Sequence, residues 1–527
     1  MNNSLEQSIK IEKLQAENAR LQAKLDELTA KHEWLLSKYL LQIKKVFGRS
    51  REQIDGQIVI EGIFNDAEAE ADTSKQDPDV ETVTEPIATI IKKYSGQRKE
   101  KLEGLPVERI EYECPEEERV CNNCGEPLPE LKPEIRRRID VIPAQVKVVE
   151  EVRHIYAGCK KCDKDDGSKI IKAQMPEAAI PHSVASEATV AYVITGKYQY
   201  GMPLYRQETQ WRMADLNISR QTMANWVILA ADNWLRLIYD RMHSLLIQRD
   251  IVMADESSFQ VLHEKGRTAQ QKSYMWLYRS GRDGPPIILF EYQQTRQATH
   301  PEKFLSGFIG YLCTDGYSGY YSLPDIINVS CFSHARRYFY DAFMSIPKDA
   351  RKKTAASFIG LDYCDKLFDV EREAADMTPE ERFEHRMKKS RPILDDFKHW
   401  LDLMKPDVSE KSNLGKAVNY CLKYWITLCN FMLDGRLYID NNASERNIRG
   451  YVSGRKAWLF ANTSNGATAS AILYSLVLTA YANNLKPFEY IHFLLKSMPN
   501  SNVKDQAVLD SYLPWSESIP DECKLKK

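Results

Sequence analysis

The chain has 527 residues, 43% apolar and 28% charged, which is more than one hydrophobic core ordinarily organises and excludes a disordered chain or a small disulfide-stapled scaffold. Its 72 basic residues nearly cancel 74 acidic ones, so a net charge of -2 announces no polyanionic partner and charge has to be read by segment. No apolar run reaches the ~20 residues that span a bilayer, and MNNSLEQSIKIEKLQ is too polar for a secretory signal, which predicts a cytoplasmic protein with no membrane partner.

Within residues 1–50, Ile11, Leu14, Asn18, Leu21, Leu25, Leu28, His32, Leu35 and Tyr39 alternate as a and d heptad positions with Glu and Lys between them. The pattern predicts a leucine-zipper-like coiled coil through which the chain forms a homo-oligomer, with Asn18 as a register-setting polar residue at an a position. Residues 51–100 form an acidic, partly disordered linker, because a stretch such as NDAEAEADTSKQDPDVETVTE has too few large apolar side chains to offset the entropy of ordering.

Residues 101–180 contain two CxxC pairs, Cys121 with Cys124 and Cys159 with Cys162, separated by 34 residues. Four thiolates brought together in this way form the closed tetrahedral shell of one structural zinc ion, and Gly125 permits the tight turn of the first ligand loop. Cys114 and His154 are the substitute ligands. Residues 181–248 read as helices. In MADLNISRQTMANWVILAADNW a polar turn leads into a helix capped by Ser219, compatible with a helix-turn-helix-like DNA-binding domain and equally with plain helix packing. Lys197, Arg206 and Arg220 are the candidate phosphate contacts of this region, against the simpler reading of snorkelling surface side chains.

A change of pattern at Arg249 opens an α/β core that is RNase H-like in outline. RDIVMADESSFQVL reads as a strand ending in Asp255, QKSYMWLYRS and PPIILFEY as two more strands, HPEKFLSGF as a short helix, and GYLCTDGYSGYY as a fourth strand ending in Asp315. That order makes the first and fourth strands neighbours and sets their carboxylates side by side. The first part of the core covers 249–340, a helical insertion 341–436, the second part 437–485, and a C-terminal segment 486–527. Glu445 falls on a helix in the second part with Arg446, Arg449, Arg455 and Lys456, all candidate DNA contacts. Two aspartates and a glutamate are hard oxygen ligands able to hold two magnesium ions, or manganese in their place. Each also has a structural reading: Asp255 and Asp315 as strand-end caps or turn residues, Glu445 as the i,i+4 partner of Arg449. Glu256 and Asp440 are the rival carboxylates.

In the blocks FGRSRE, LPVERIEYECPEEERVCNNCGEPL, KYQYGMPLYRQE, ADESSFQVL, TDGYSGY, CFSHARRYFYD, IDNNASERNIRGYVSGRKAWLF and YANNLKPFEY, nearly the whole chain resembles the large catalytic subunit of the insertion sequence 66 family of transposases. The resemblance implies a DDE transposase whose triad falls on Asp255 in ADES, Asp315 in TDGY and Glu445 in NNASER. Its ADES block departs from the more usual ADET by a conservative hydroxyl swap. It further implies metal-dependent cleavage at transposon ends and strand transfer into target DNA, with no covalent protein intermediate. The implied partners are end and target DNA and accessory proteins of the same mobile element, and the implied location is the nucleoid. A catalytically silent DNA-binding regulator and an RNase H-like nuclease without strand transfer are the other readings.

Overall fold

The structure, a computed structural model, describes residues 146–156 and 171–526. The predicted coiled coil, the acidic linker, Cys114 and the four predicted zinc ligands lie outside the described residues. The described residues belong almost wholly to the second of the chain's two units, Lys147–Lys527. Among them no helix is long and apolar enough to cross a membrane.

The second unit opens with two short antiparallel strands, β1 (Ile155–Tyr156) and β2 (Ile171–Lys172), and His154 is exposed at their entry. Four helices follow: α1 (Glu187–Tyr198), α2 (Leu204–Met213), α3 (Arg220–Ala230) and, across a π-helical turn at Ala231–Leu235, α4 (Arg236–Leu246). Ser219 caps α3 as its sequence requires, its Oγ accepting the Thr222 N–H at 3.1 Å. Asp215, with φ of 57°, makes the turn between α2 and α3.

The central sheet comprises β3 (Ile251–His263), β4 (Lys272–Ser280), β5 (Ile288–Gln293), β6 (Gly310–Thr314), β7 (Ile326–Ser330) and, much later in the chain, β8 (Phe460–Thr463). A short helix α5 (Thr299–Phe304) connects β5 to β6. The order is β5-β4-β3-β6-β7, with β4 antiparallel to both neighbours and β3, β6 and β7 mutually parallel. The first and fourth strands of the core are therefore neighbours, as expected. β3 does not stop at Asp255, however. Pairing with β6 ends at Met253, while β4 continues along β3 to Gln260 and β8 pairs with Gln260–His263, so extended backbone runs on for eight residues past the aspartate.

Helices cover both faces of the sheet, and this is why β3 opens with a continuous apolar run. Ile251, Val252, Met253 and Ala254 are all fully buried. By the two-residue period of a strand, Val252 and Ala254 enter one core while Ile251 and Met253 enter the other. The first core is built with α1–α4, α12 (Ser464–Ala482) and α13 (Pro487–Ser497). The helices of 181–248 thus share a core with the sheet. α12 also closes the sheet edge: Ser475 Oγ accepts the Phe290 N–H at 2.7 Å, and Thr479 Oγ1 accepts from Ile288 N at 3.0 Å and donates to its carbonyl at 2.9 Å.

The second core belongs to α6 (Phe332–Met344) and the predicted helical insertion, which folds as α7 (Ala356–Glu373), α8 (Pro379–Met404), α9 (Asn413–Lys423) and α10 (Trp425–Cys429). Two arginines of α8 are buried here. Arg386 donates to Glu371 Oε1 and Oε2, both at 2.7 Å, and to the carbonyls of Phe431, Asp434 and Leu437. Arg382 donates to the carbonyls of Ala374, Ala375, Met377 and Gly435. Together they fix the 431–437 segment that leads into α11 (Asn442–Trp458), the helix bearing Glu445.

Candidate active site

Asp255 shares a face of β3 with Ile251 and Met253, and its neighbour Glu256 takes the opposite parity. The apolar cover ends at this point, and residues 255–258 are only half-buried. Asp255 Oδ1 accepts the N–H of Glu256 at 2.8 Å. Asp315 follows directly on β6. Its Oδ1 accepts the Tyr317 N–H at 3.0 Å across Gly316, whose φ of 96° suits glycine, so the turn reading of Asp-Gly is realised without consuming the carboxylate. Tyr420 of α9 and Tyr424, just past its end, steady that turn by donating to the carbonyls of Asp315 and Gly316 at 3.4 and 3.3 Å.

Glu445 stands in the first turn of α11. Three contacts fix this end of the helix: Asn441 Nδ2 donates to the Ala254 carbonyl at 2.8 Å, Asn441 N–H donates to Cys331 Sγ at 3.2 Å, and Arg279 donates to Asn447 Oδ1 at 2.9 Å. Glu445 Oε2 accepts from Arg449 at 3.1 Å, the i,i+4 pair read from the sequence, while Oε1 is buried without a partner.

Asp255, Asp315 and Glu445 line one cavity of about 180 Å³, together with Glu256, His334 and Arg449. Burial, then the charges of Glu256 and Asp315, and in smaller measure that of Glu445, push the Asp255 carboxyl well above its ordinary range, against the opposing backbone N–H of Glu256. The two rivals are engaged elsewhere. Glu256 accepts from the Arg296 guanidinium at 2.7 Å and from Tyr320 at 2.8 Å, using both oxygens. Burial still raises its pKa, as does Asp315 beside it, with Arg296 opposing. Asp440 spends both oxygens on Asn442, including its backbone N–H at 3.1 Å, at the start of α11. Clustered like charges and an orphaned buried carboxylate oxygen are costly unless a cation joins them, so the donor set fits divalent metal ions with oxygen ligands.

Residues 182–469 match the family described as transposase IS66 family, over more than half of the chain. The chain belongs to that family. Residues 118–163, which include Cys121, Cys124, Cys159 and Cys162, match the zinc-finger binding domain of transposase IS66, which supports zinc binding by this segment. Two similar proteins are from Sinorhizobium fredii (strain NBRC 101917 / NGR234). Uncharacterized protein y4hP is 28% identical over 427 residues, covering 77% of this chain and 74% of the relative. Uncharacterized protein y4jD is 26% identical over 414 residues, covering 76% and 78%.

In this transposase, one titratable cavity residue escaped sequence reasoning. His334, in the first turn of α6, reaches the cavity with its Nδ1 buried and unpartnered, and burial lowers its pKa. Its only signal was a lone histidine in CFSHARRYFYD, a block noted for resemblance and not for chemistry. The basic residues divide into two groups. Arg446, Arg449, Lys456, Arg206 and Arg220 are exposed. Arg455 instead donates to the Ser258 carbonyl, tying α11 to β3, and Lys197 lies half-buried over the rings of Tyr198 and Trp458 at 4.9 and 5.5 Å.

Proposed function

We propose that this transposase is a DDE enzyme that cleaves transposon ends and joins the freed 3′ hydroxyls to target DNA, with Asp255, Asp315 and Glu445 as its triad. The observation that carries the reading is the convergence of three carboxylates, from β3, the end of β6 and the start of α11, in one cavity while Glu256 and Asp440 are engaged by other partners. The strand order β5-β4-β3-β6-β7, with β4 alone antiparallel to its neighbours, supports an RNase H-like core.

Two magnesium or manganese ions held by the triad would activate the attacking water or 3′ hydroxyl and stabilise the leaving oxygen. The chain's own residues hold the carboxylates in register: β3 carries Asp255, Tyr420 and Tyr424 steady the Asp315 turn, and Asn441 and Arg279 seat the helix of Glu445. Exposed Arg446, Arg449 and Lys456 on α11 neutralise DNA phosphates beside the site, and Arg206 and Arg220 do so from α2 and α3. A structural zinc in the 101–180 segment and a coiled-coil homo-oligomer complete the reading, with accessory proteins of the element as further partners and the nucleoid as location.

The test is cleavage and strand transfer on labelled end DNA by the full chain with magnesium or manganese. Asp255→Asn, Asp315→Asn and Glu445→Gln are each expected to lower cleavage by orders of magnitude while DNA binding survives. Normal cleavage by Glu445→Gln together with its abolition by Asp440→Asn or Glu256→Gln refutes the triad. Cleavage without strand transfer makes the protein a nuclease, and DNA binding without either makes it a regulator.

A further inference from the structure

His334 and Glu445 come from helices that start at different edges of the site, α6 directly after β7 and α11 after the whole insertion, yet their ligand atoms approach within 4.8 Å of each other and of Cys331 Sγ. Both face the cavity of Asp255 and Asp315, and in each a polar atom, Nδ1 of His334 and Oε1 of Glu445, is buried with no hydrogen-bond partner. Two such atoms on residues that line one cavity from separate helices is an arrangement that packing alone would not favour, since a buried polar atom left unpaired is costly. Cys331 does not share this state. It is buried, and its sulfur already accepts the Asn441 N–H that seats the Glu445 helix.

We propose that His334 is a nitrogen ligand of the divalent-cation site, binding beside Glu445 so that one ion has a mixed imidazole and carboxylate shell. The inference rests on the metal-dependent reading above and adds a ligand to it. Magnesium is a hard ion held by oxygens and waters, whereas imidazole is a common ligand of first-row transition ions. The His334 contribution is therefore larger for manganese than for magnesium.

The full chain loaded with Mn²⁺ provides a direct readout, because electron spin echo modulation reports nitrogen bound to the ion. The wild type is expected to show ¹⁴N modulation that converts to the ¹⁵N pattern when the protein is labelled with [¹⁵N]histidine, an arm that needs no substitution and so no assumption about folding. In His334→Gln the nitrogen modulation disappears, and Mn²⁺ binding by calorimetry weakens about tenfold or more. Mg²⁺ affinity, measured by competition, changes by less than about threefold. Mn²⁺ that is lost with Asp255→Asn and Glu445→Gln but shows no nitrogen coupling in the wild type overturns the role of His334 and leaves the cation site standing. Mn²⁺ binding indifferent to Asp255→Asn and Glu445→Gln overturns the cation site and the proposal with it. Nitrogen coupling that persists in His334→Gln assigns the ligand to another histidine and refutes the proposal.

Discussion

Replacing Arg386 by Met tests how the insertion holds the helix of Glu445. The guanidinium is fully buried and makes five hydrogen bonds, two with Glu371 and three with the carbonyls of Phe431, Asp434 and Leu437. Methionine keeps most of the apolar stem but none of the donors. Glu371, 14% exposed, is then left as an uncompensated charge, and removing one member of a buried pair costs about 3–5 kcal/mol. The three carbonyls add to this to the extent that water cannot reach them, at about 1–3 kcal/mol for each one left dry. At roughly 2–4 °C per kcal/mol for a domain of ordinary size, the catalytic unit should melt on the order of 10 °C lower. The assay is thermal unfolding followed by circular dichroism, alongside the double variant with Glu371→Leu. Because an apolar replacement of a whole buried ion pair is often neutral, the double variant should recover part of the loss. A fall of less than about 2 °C in the single variant refutes the reasoning about magnitude. A double variant no more stable than the single refutes its attribution to the stranded charge.

Glu291 offers a pH test away from the site. Burial pushes its carboxyl up to about 7 despite a hydrogen bond from Gln293 at 2.6 Å, so the folded protein holds a proton that the unfolded chain releases near ~4.3. Stability should therefore fall as pH rises from about 4.5 towards 7, and Glu291→Gln should melt higher than wild type at pH ~8 with no difference below pH ~4. No difference between the paired melting curves at pH ~8 would show that the carboxyl ionises freely in the fold. Metal analysis should find about one zinc per chain in unchelated protein, reduced in Cys121→Ser and Cys159→Ser together with end-DNA binding, while the catalytic unit keeps its melting transition. Polar replacement of Leu21 and Leu28 should shift light-scattering mass towards monomer, and a monomer both before and after would refute the zipper.

The sequence was most legible where burial on both sides left an apolar run with a charge just past it. IVMAD disclosed both a strand and its aspartate, and the Asp-Gly after GYLCT did the same for β6. The extent of β3 was not legible, because ESSFQVLH alternates on a half-covered surface and is held extended by β4 and β8, whose pairing is decided elsewhere in the chain. β7 and β8 are short and contain polar residues, INVS and FANT, and hydrogen bonding to existing strands sustains them more than their own pattern does. Strand parity already separates Asp255 from Glu256 in the sequence, but the engagement of Asp440 by Asn442, against the unpartnered oxygen of Glu445, is visible only in the hydrogen bonds. His334 stayed hidden because a histidine in an aromatic helix advertises packing as readily as chemistry. Arg455 and Lys197 show the converse: both read as candidate DNA contacts, and in the fold their cations turn to the Ser258 carbonyl and the Tyr198 ring.

The long β3 strand gives two widely separated parts of the gene a common ruler. Asp255 lies on β3 itself, and α11, which carries Glu445, is followed directly by β8, which hydrogen-bonds to the far end of the same strand. The α7–α10 insertion, which braces the 431–437 segment through Arg382 and Arg386, is thereby a detour between two ends that are also tied to the sheet. The exposed loop between α8 and α9, residues 405–411, is the part of that detour where length can drift, by insertion in evolution or by a grafted tag, with the spacing of the two carboxylates still dictated by one strand.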